Sequence, residues 1–197
     1  MLRRATVVVL AFSLLVAMAV PTSATTGDDR PDVVDVVVKV SGSSGFDRNA
    51  HDYDILREAL VATDLAGALK KARHITVWAP NDRAFRRLAR DLGWKGSGER
   101  GAFAFLAKAA GADLLSDVLL YHVSPRRLDA GKVLTLALTR RPVDTLLGET
   151  FRINARLRLV DAERDLRNPR LTLPVTVHAS NGTIHTINRV LIPIDLV

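Results

Sequence analysis

Two kinds of residue in this chain have the chemistry to do something beyond folding. The first is histidine. His122 follows Tyr121 directly, and an imidazole there could serve as a general base or hold a loop through hydrogen bonds. His178 and His185 flank Asn181-Gly182, whose residue types suit a type I′ hairpin turn. With that turn, Ser180 faces Thr183, Ala179 faces Ile184, and His178 faces His185 on one side of a sheet. Two facing imidazoles could grip a transition metal, but a stable site normally needs a third or fourth ligand, and none can be assigned. The expectation is therefore no metal and no cofactor, with an ordinary polar pair on the sheet and a hydrogen-bonding role for His122.

The second is arginine. Arg83, Arg86, Arg87 and Arg90 recur at i, i+3, i+4 and i+7, one stripe of a helix. Arg152, Arg156 and Arg158 share one face of an alternating segment, opposite Ile153, Ala155, Leu157 and Leu159. Arg126-Arg127 and Arg140-Arg141 add paired charges. A solvated face explains such patterns by default. Guanidinium forks also suit sulfate, phosphate and carboxylate, which makes the stripe Arg83, Arg86, Arg87 and Arg90 a candidate polyanion-binding surface. Residues 85, 88 and 92 lie opposite, so the four arginines are expected to project outward.

Catalytic signatures are absent from the sequence. There is no Gly-x-Ser-x-Gly elbow, no His-Glu-x-x-His and no phosphate-binding Gly-Lys-Ser/Thr loop. No nucleophile or acid partner for His122 stands out. The expectation is a protein that is not an enzyme.

The elements that position these residues follow from periodicity. Residues 74–79 alternate, with Ile75, Val77 and Ala79 on one face and His74, Thr76 and Trp78 on the other, as in a strand. Pro80 ends it, Asn81 is a helix N-cap, and Asp82 places negative charge in the first turn. Ala84, Phe85, Leu88, Ala89 and Leu92 continue at helical spacing to Gly93. Residues 52–72 read as helix interrupted at Thr63-Asp64. Residues 93–101 form a glycine-rich loop, and 102–110, 113–120 and 129–138 form three further helices. Residues 143–147 and 150–160 read as strands, 161–170 as a charged loop, and 175–192 as the final hairpin and a buried run. Residues 41–45 read as a turn, and valine-rich 32–40 as a strand by propensity. The whole is one α+β domain with no internal repeat.

Compartment follows from the first residues. Arg3 and Arg4 precede an apolar run over residues 5–20, then Pro21 and small residues to Ala24. This is a secretory signal pattern, with cleavage expected after Ala24 and Ala17-Met18-Ala19 as an earlier alternative. Its run is shorter than the roughly 20 residues a span requires. The expected organisation is signal peptide 1–24, polar leader 25–31 and domain 32–197. No second apolar stretch is long enough to span a membrane, so no transmembrane segment is expected in the mature form. The 197 residues include no cysteine, which excludes disulfides and a lipidated cysteine. The net charge is +7, and the leader takes away two arginines and no acid, leaving +5. Export disfavours intracellular nucleic acid as a partner.

Three ordered motifs carry a family resemblance. Ile75 to Phe85 reads strand-Ala-Pro-Asn-Asp-x-Ala-Phe, Tyr121-His122-Val123 follows, and Asn181-Gly182-x-Ile-His185-x-Ile-x-x-Val-Leu-x-Pro193 comes last. Together they resemble the fasciclin-like domain family over residues 31–193, with Asn81 where the family more often has Thr or Ser. The resemblance implies a β-wedge of antiparallel-rich strands flanked by several helices, and a short helix rather than a strand over 32–40. It implies a secreted, non-catalytic module for adhesion or for cell-surface and matrix binding, free or held at a surface. A lipid or small-ligand binder on the same fold is the alternative. The partner class is a cell-surface protein, an acidic glycan or an anionic lipid. Asn81, Asp82, Tyr121, His122, Asn181, Gly182 and His185 then become structural or adhesive motif residues. In animal relatives the Tyr-His region is linked to integrin-dependent adhesion. The family's Asp-Ile motif before the last box is replaced here by Thr176-Val177, which puts integrin-type binding in doubt.

Overall fold

A computed structural model describes residues 28–42, 45–172 and 176–194. The expected signal peptide, most of the polar leader, and parts of the 41–45 turn and of the final hairpin lie outside those residues. The chain opens with helix α1 (Val33–Ser41), whose start is capped by the Asp32 carboxylate accepting from the amides of Val34 and Asp35. Val33, Val34, Val36 and Val37 are buried on one face, while Val38 and Val40 are exposed. Valine is a mediocre helix former, at a cost of roughly 0.5 kcal/mol per residue. Burial returns roughly 1.5–3 kcal/mol for each such side chain, so packing overrides strand propensity.

Helices α2 (Asp54–Ala62) and α3 (Leu65–Lys71) follow, separated at Thr63-Asp64 as the sequence predicts, with Asp64 left-handed at φ 54°. Strand β1 (Ile75–Pro80) leads through Asn81 into α4 (Asp82–Asp91). Helix α5 (Glu99–Tyr121) carries a non-helical Gly111 at φ 69°, which divides it where the sequence places a break. Then come β2 (Val123–Ser124), α6 (Ala130–Thr139), β3 (Pro142–Asp144), β4 (Thr150–Ile153), β5 (Leu159–Val160), β6 (Val177–His178) and β7 (Gly182–Ile187).

Two sheets result, one ordered β2-β1-β7-β6 and one ordered β3-β4-β5. Among the described residues the strand pairings are antiparallel except β1 with β7, which run parallel from Ile75↔Gly182 to Pro80↔Ile187. The larger sheet divides the core. Ile75, Val77, Ala79 and Ile184 pack with the helices α1 to α5. Trp78 and Ile187 face a second cluster with Tyr121, Val133, Phe151 and Leu159.

One expected strand is corrected. Residues 150–160 are two strands, because Asn154 Oδ1 accepts from the amides of Arg156 and Arg158 and Leu157 turns at φ 54°. The side-chain hydrogen bonds replace the ladder and fold the segment back on itself. Arg152, Arg156 and Arg158 therefore do not share a single strand face.

Candidate functional site

The first and last motifs lie side by side, since β1 and β7 are neighbouring strands. Trp78 pairs with His185 across the ladder, and the two rings stack at 5.0 Å. The indole N–H donates to Ser124 Oγ at 3.0 Å. His185 is fully buried. Its Nε2 donates to the Leu128 carbonyl at 2.7 Å, and its Nδ1 lies 3.3 Å from Thr176 Oγ1. Tyr121 is also fully buried, and its hydroxyl donates to the Thr150 carbonyl at 3.1 Å. Burial pushes the Tyr121 phenol upward.

His122 is closed in the same way. Nδ1 donates to the Val118 carbonyl at 2.6 Å, and Nε2 accepts the Leu191 amide at 2.9 Å. Two backbone partners fix one neutral tautomer, and burial pulls its pKa down to about 4. The ring is neither exposed nor free to take a proton, so it is a structural histidine.

The facing-histidine expectation is corrected by register. Strand β6 pairs Val177 with Ile184 and His178 with Thr183. His178 is thus exposed and offset from His185, which faces Thr176. The turn lies one residue earlier than Asn-Gly chemistry suggests, and neither Asn181 nor Gly182 has positive φ. Tertiary bonds explain the slip. Asn181 is 3% exposed; its Oδ1 accepts from the Val33 amide, and its Nδ2 donates to the carbonyls of Leu69 and Ala72. It therefore joins the start of α1 to the end of α3. Gly182 is needed for close approach, because a Cβ there would lie 2.5 Å from the Ile75 carbonyl oxygen.

Asn81 caps α4 as expected, with Oδ1 accepting from the Ala84 amide at 3.0 Å. Asp82 does more than favour its own helix dipole. Its carboxylate accepts from the amides of Asp54 and Ile55, at 3.1 and 2.8 Å, and so caps α2. Around it lie Asp52, Asp54 and Glu99, all at most 2% exposed, and exposed Asp47. Burial first, then Asp52, pushes the Asp82 carboxyl up to about 9. Burial also raises Asp54 and Glu99, with neighbouring carboxylates adding to it. Sequence reading missed this cluster because its members come from a loop, α2, α4 and α5. The local signal was Asp47, Asn49, Asp52 and Asp54 within eight residues.

The arginine stripe is split by packing. Arg83 and Arg90 are exposed, whereas Arg86 and Arg87 are half-buried. Arg87 Nη1 donates to the Asn188 carbonyl at 3.0 Å, and Arg86 Nε is buried without a partner. Outward projection therefore holds for two of the four. Arg87 instead enters a groove of about 630 Å³ shared with Arg158, Arg167, Arg170 and Arg189, with Asn168 and Asn188 beside them and, among the described residues, no acid in the lining. Arg158, Arg167 and Arg170 are exposed. Arg158 and Arg170 stand opposite one another across an antiparallel bridge. Arg189 pairs with Asp91 at 2.6 Å, and Arg167 and Arg189 also border a small adjoining pocket that holds Asp91, Asp161 and Glu163. The sequence shows these arginines but not their assembly, because the groove joins α4, the turn after β4, the loop after β5 and the segment after β7.

A second concavity, of about 240 Å³, is apolar. Phe85, Leu88, Leu106, Leu115, Val190 and Ile194 line it between α4, α5 and the end of the chain. No helix among the described residues is long and apolar enough to cross a membrane.

Residues 51–193 match the Fasciclin domain family. This chain belongs to the fasciclin domain family. A cyanobacterial relative, Protein sll1483 of Synechocystis sp. (strain ATCC 27184 / PCC 6803 / Kazusa), is 30% identical over 143 residues, 72% of this chain and 67% of that protein. The fold is similar to a FAS1 domain pair from the insect cell adhesion molecule Fasciclin I, with a TM-score of 0.55 at 13% identity. That match covers 82% of this chain, which spans about half the length of the domain pair. Fasciclin domains are associated with adhesion and binding, and they are typically extracellular or surface proteins. The FAS1-like α+β architecture is the one that the three motifs imply.

Proposed function

We propose that this protein is an exported, non-catalytic binding module that docks an acidic glycan through its arginine groove. The observation that carries this reading is the pair Arg158 and Arg170. Like charges directly opposite across strands are unfavourable, and three further arginines, one of them paired with Asp91, converge on the same groove. A sulfated or carboxylated chain would neutralise them with bidentate contacts, which guanidinium geometry favours. Arg83 and Arg90 of the stripe extend the basic surface beside Arg87. The closed histidines and tyrosine support a non-catalytic role, since each has spent its polar atoms on backbone or neighbouring side chains.

The test is retention of the protein on a sulfated-glycan support against a neutral one, with anionic-lipid vesicles as a parallel arm. Retention on the sulfated support that declines with salt supports the reading, because screening weakens exposed charge contacts. Elution from both supports alike overturns it. Binding to vesicles alone reassigns the groove to a lipid surface. The apolar concavity beside Phe85 and Leu106 favours a second reading, a small apolar ligand. Native mass spectrometry of the purified protein tests that reading, which predicts a co-purifying bound species.

A further inference from the structure

The acidic cluster is out of keeping with the rest of the molecule. In a basic protein, five carboxylates converge, four of them essentially removed from solvent. Asp47, Asp54 and Glu99 can each offer an oxygen within 4.8 Å of the others, and so can Asp52, Asp54 and Asp82. Asp54 belongs to both groups. The Asp47 amide donates at 3.1 Å to Asp54 Oδ2 and to Glu99 Oε2, which pins the loop against the starts of α2 and α5. Arg57 Nη1 lies 3.1 Å from Asp54 Oδ1 as an ion pair, without hydrogen-bonding alignment.

The remaining oxygens are the second observation. Glu99 Oε1 and Asp52 Oδ1 are buried and have no hydrogen-bond partner. Buried carboxylate oxygens without partners are costly unless something positive sits among them. Arg57 reaches Asp54 and is shared with Glu58 and the Gly42 carbonyl, Arg100 lies over the Phe46 ring, and neither forms an ion pair with Glu99 or Asp52.

We propose that Asp47, Asp54 and Glu99 hold a hard divalent cation of the Ca²⁺ class, with Asp52 behind them. The donor set is all oxygen, which suits Ca²⁺ or Mg²⁺ and not thiophilic or imidazole-preferring metals. Oxygens about 2.4 Å from a Ca²⁺ span at most about 4.8 Å across it, which matches the spacing found. Exposed Asp47 marks the entrance. Asp82 already caps α2 with both oxygens, so it is not a direct ligand. A cation here would tie the loop before α2 to the starts of α2 and α5, independently of the arginine groove.

The experiment is thermal unfolding and calorimetric titration of the full chain with CaCl₂, against EDTA and against KCl at matched ionic strength. The expected result is a saturable rise in melting temperature with Ca²⁺, absent with KCl and reversed by EDTA. Glu99→Gln removes one charge and keeps the shape. It should raise the melting temperature in EDTA and weaken Ca²⁺ binding roughly tenfold or more. Asp47→Asn, on the exposed loop, should weaken binding with little change in metal-free stability. A purely structural carboxylate predicts no such opposite effects. A rise with Ca²⁺ no larger than with KCl overturns the proposal, and so does an unchanged Ca²⁺ response in both variants.

Discussion

His122 Nε2 accepts the amide hydrogen of Leu191 at 2.9 Å, while Nδ1 donates to the Val118 carbonyl. One ring therefore ties the end of α5 to the buried Val190-Leu191-Ile192 run. The folded pKa, near 4, lies below the ordinary value of 6.5. The unfolded chain takes up a proton first as pH falls, so this contribution is complete above about pH 6.5 and is lost towards pH 4. His122→Ala opens a cavity and orphans the Leu191 amide, at a cost of about 3 kcal/mol at pH 7. That deficit should shrink as pH falls to 4, because only the parent has the histidine to lose. Denaturant unfolding of both proteins at several pH values reads the difference.

Asp161 acts with the opposite sign. Its Oδ2 accepts from the Ile192 amide at 2.9 Å, and burial pushes its pKa up to about 6. The folded form holds the proton longer than the unfolded one, so stability falls as pH rises from about 4 to about 6. Asp161→Asn keeps an acceptor and removes the charge. After discounting for partial exposure, it should stabilise the protein at pH 7 by on the order of 1–2 kcal/mol, with no gain at pH 4. The same denaturant series checks this, and an unstabilised variant at pH 7 would show the carboxyl to be well solvated.

Gly182 separates two explanations of the second motif. A glycine held at positive φ would tolerate Asn and lose about 1 kcal/mol with Ala. Here the obstacle is the Ile75 carbonyl oxygen 2.5 Å from an added Cβ, with Val33 Cγ1 at 3.1 Å. Ala and Asn should both destabilise by about 2–3 kcal/mol, and Val by more. Melting curves of the three variants decide it; a stable Gly182→Asn would restore the turn explanation.

The stripe makes a related point about stability. Changing Arg83 and Arg90 to Gln should leave the melting temperature nearly unchanged, since both side chains are exposed. Arg87→Gln should cost about 1 kcal/mol or more, through the lost hydrogen bond to the Asn188 carbonyl. Equal melting temperatures for all three variants would mean that the Arg87 contact contributes nothing.

What the sequence revealed was whatever neighbours in the chain decide. The strand of Ile75, Val77 and Ala79, the Asn81 cap and the helix after it follow from alternation and capping chemistry within a dozen residues. The division of α5 near Gly111 and the break at Thr63-Asp64 are equally local. What stayed hidden depends on partners far along the chain. Asn181 carries a turn residue's chemistry, yet its amide is committed to Val33, Leu69 and Ala72, and the turn moves one residue earlier, which shifts the strand pairing by two. Valine-rich 32–40 reads as strand until α1 finds a core to bury it. The acidic cluster and the arginine groove each draw on four parts of the chain, so no window of sequence contains them.

The arginine groove is proposed as the site that binds a polyanion. The most direct measurement is the salt dependence of affinity for a sulfated oligosaccharide, compared between the parent and Arg158→Gln/Arg167→Gln/Arg170→Gln. These three side chains are exposed, so the variant should fold, and removing the facing pair Arg158 and Arg170 should not lower its melting temperature. The parent should bind tightly at low salt and weaken steeply as salt rises. The variant should bind at least about tenfold more weakly, a loss of roughly 1.4 kcal/mol, with a flatter salt dependence. Equal affinity and equal salt dependence in the two proteins would contradict the assignment of the groove.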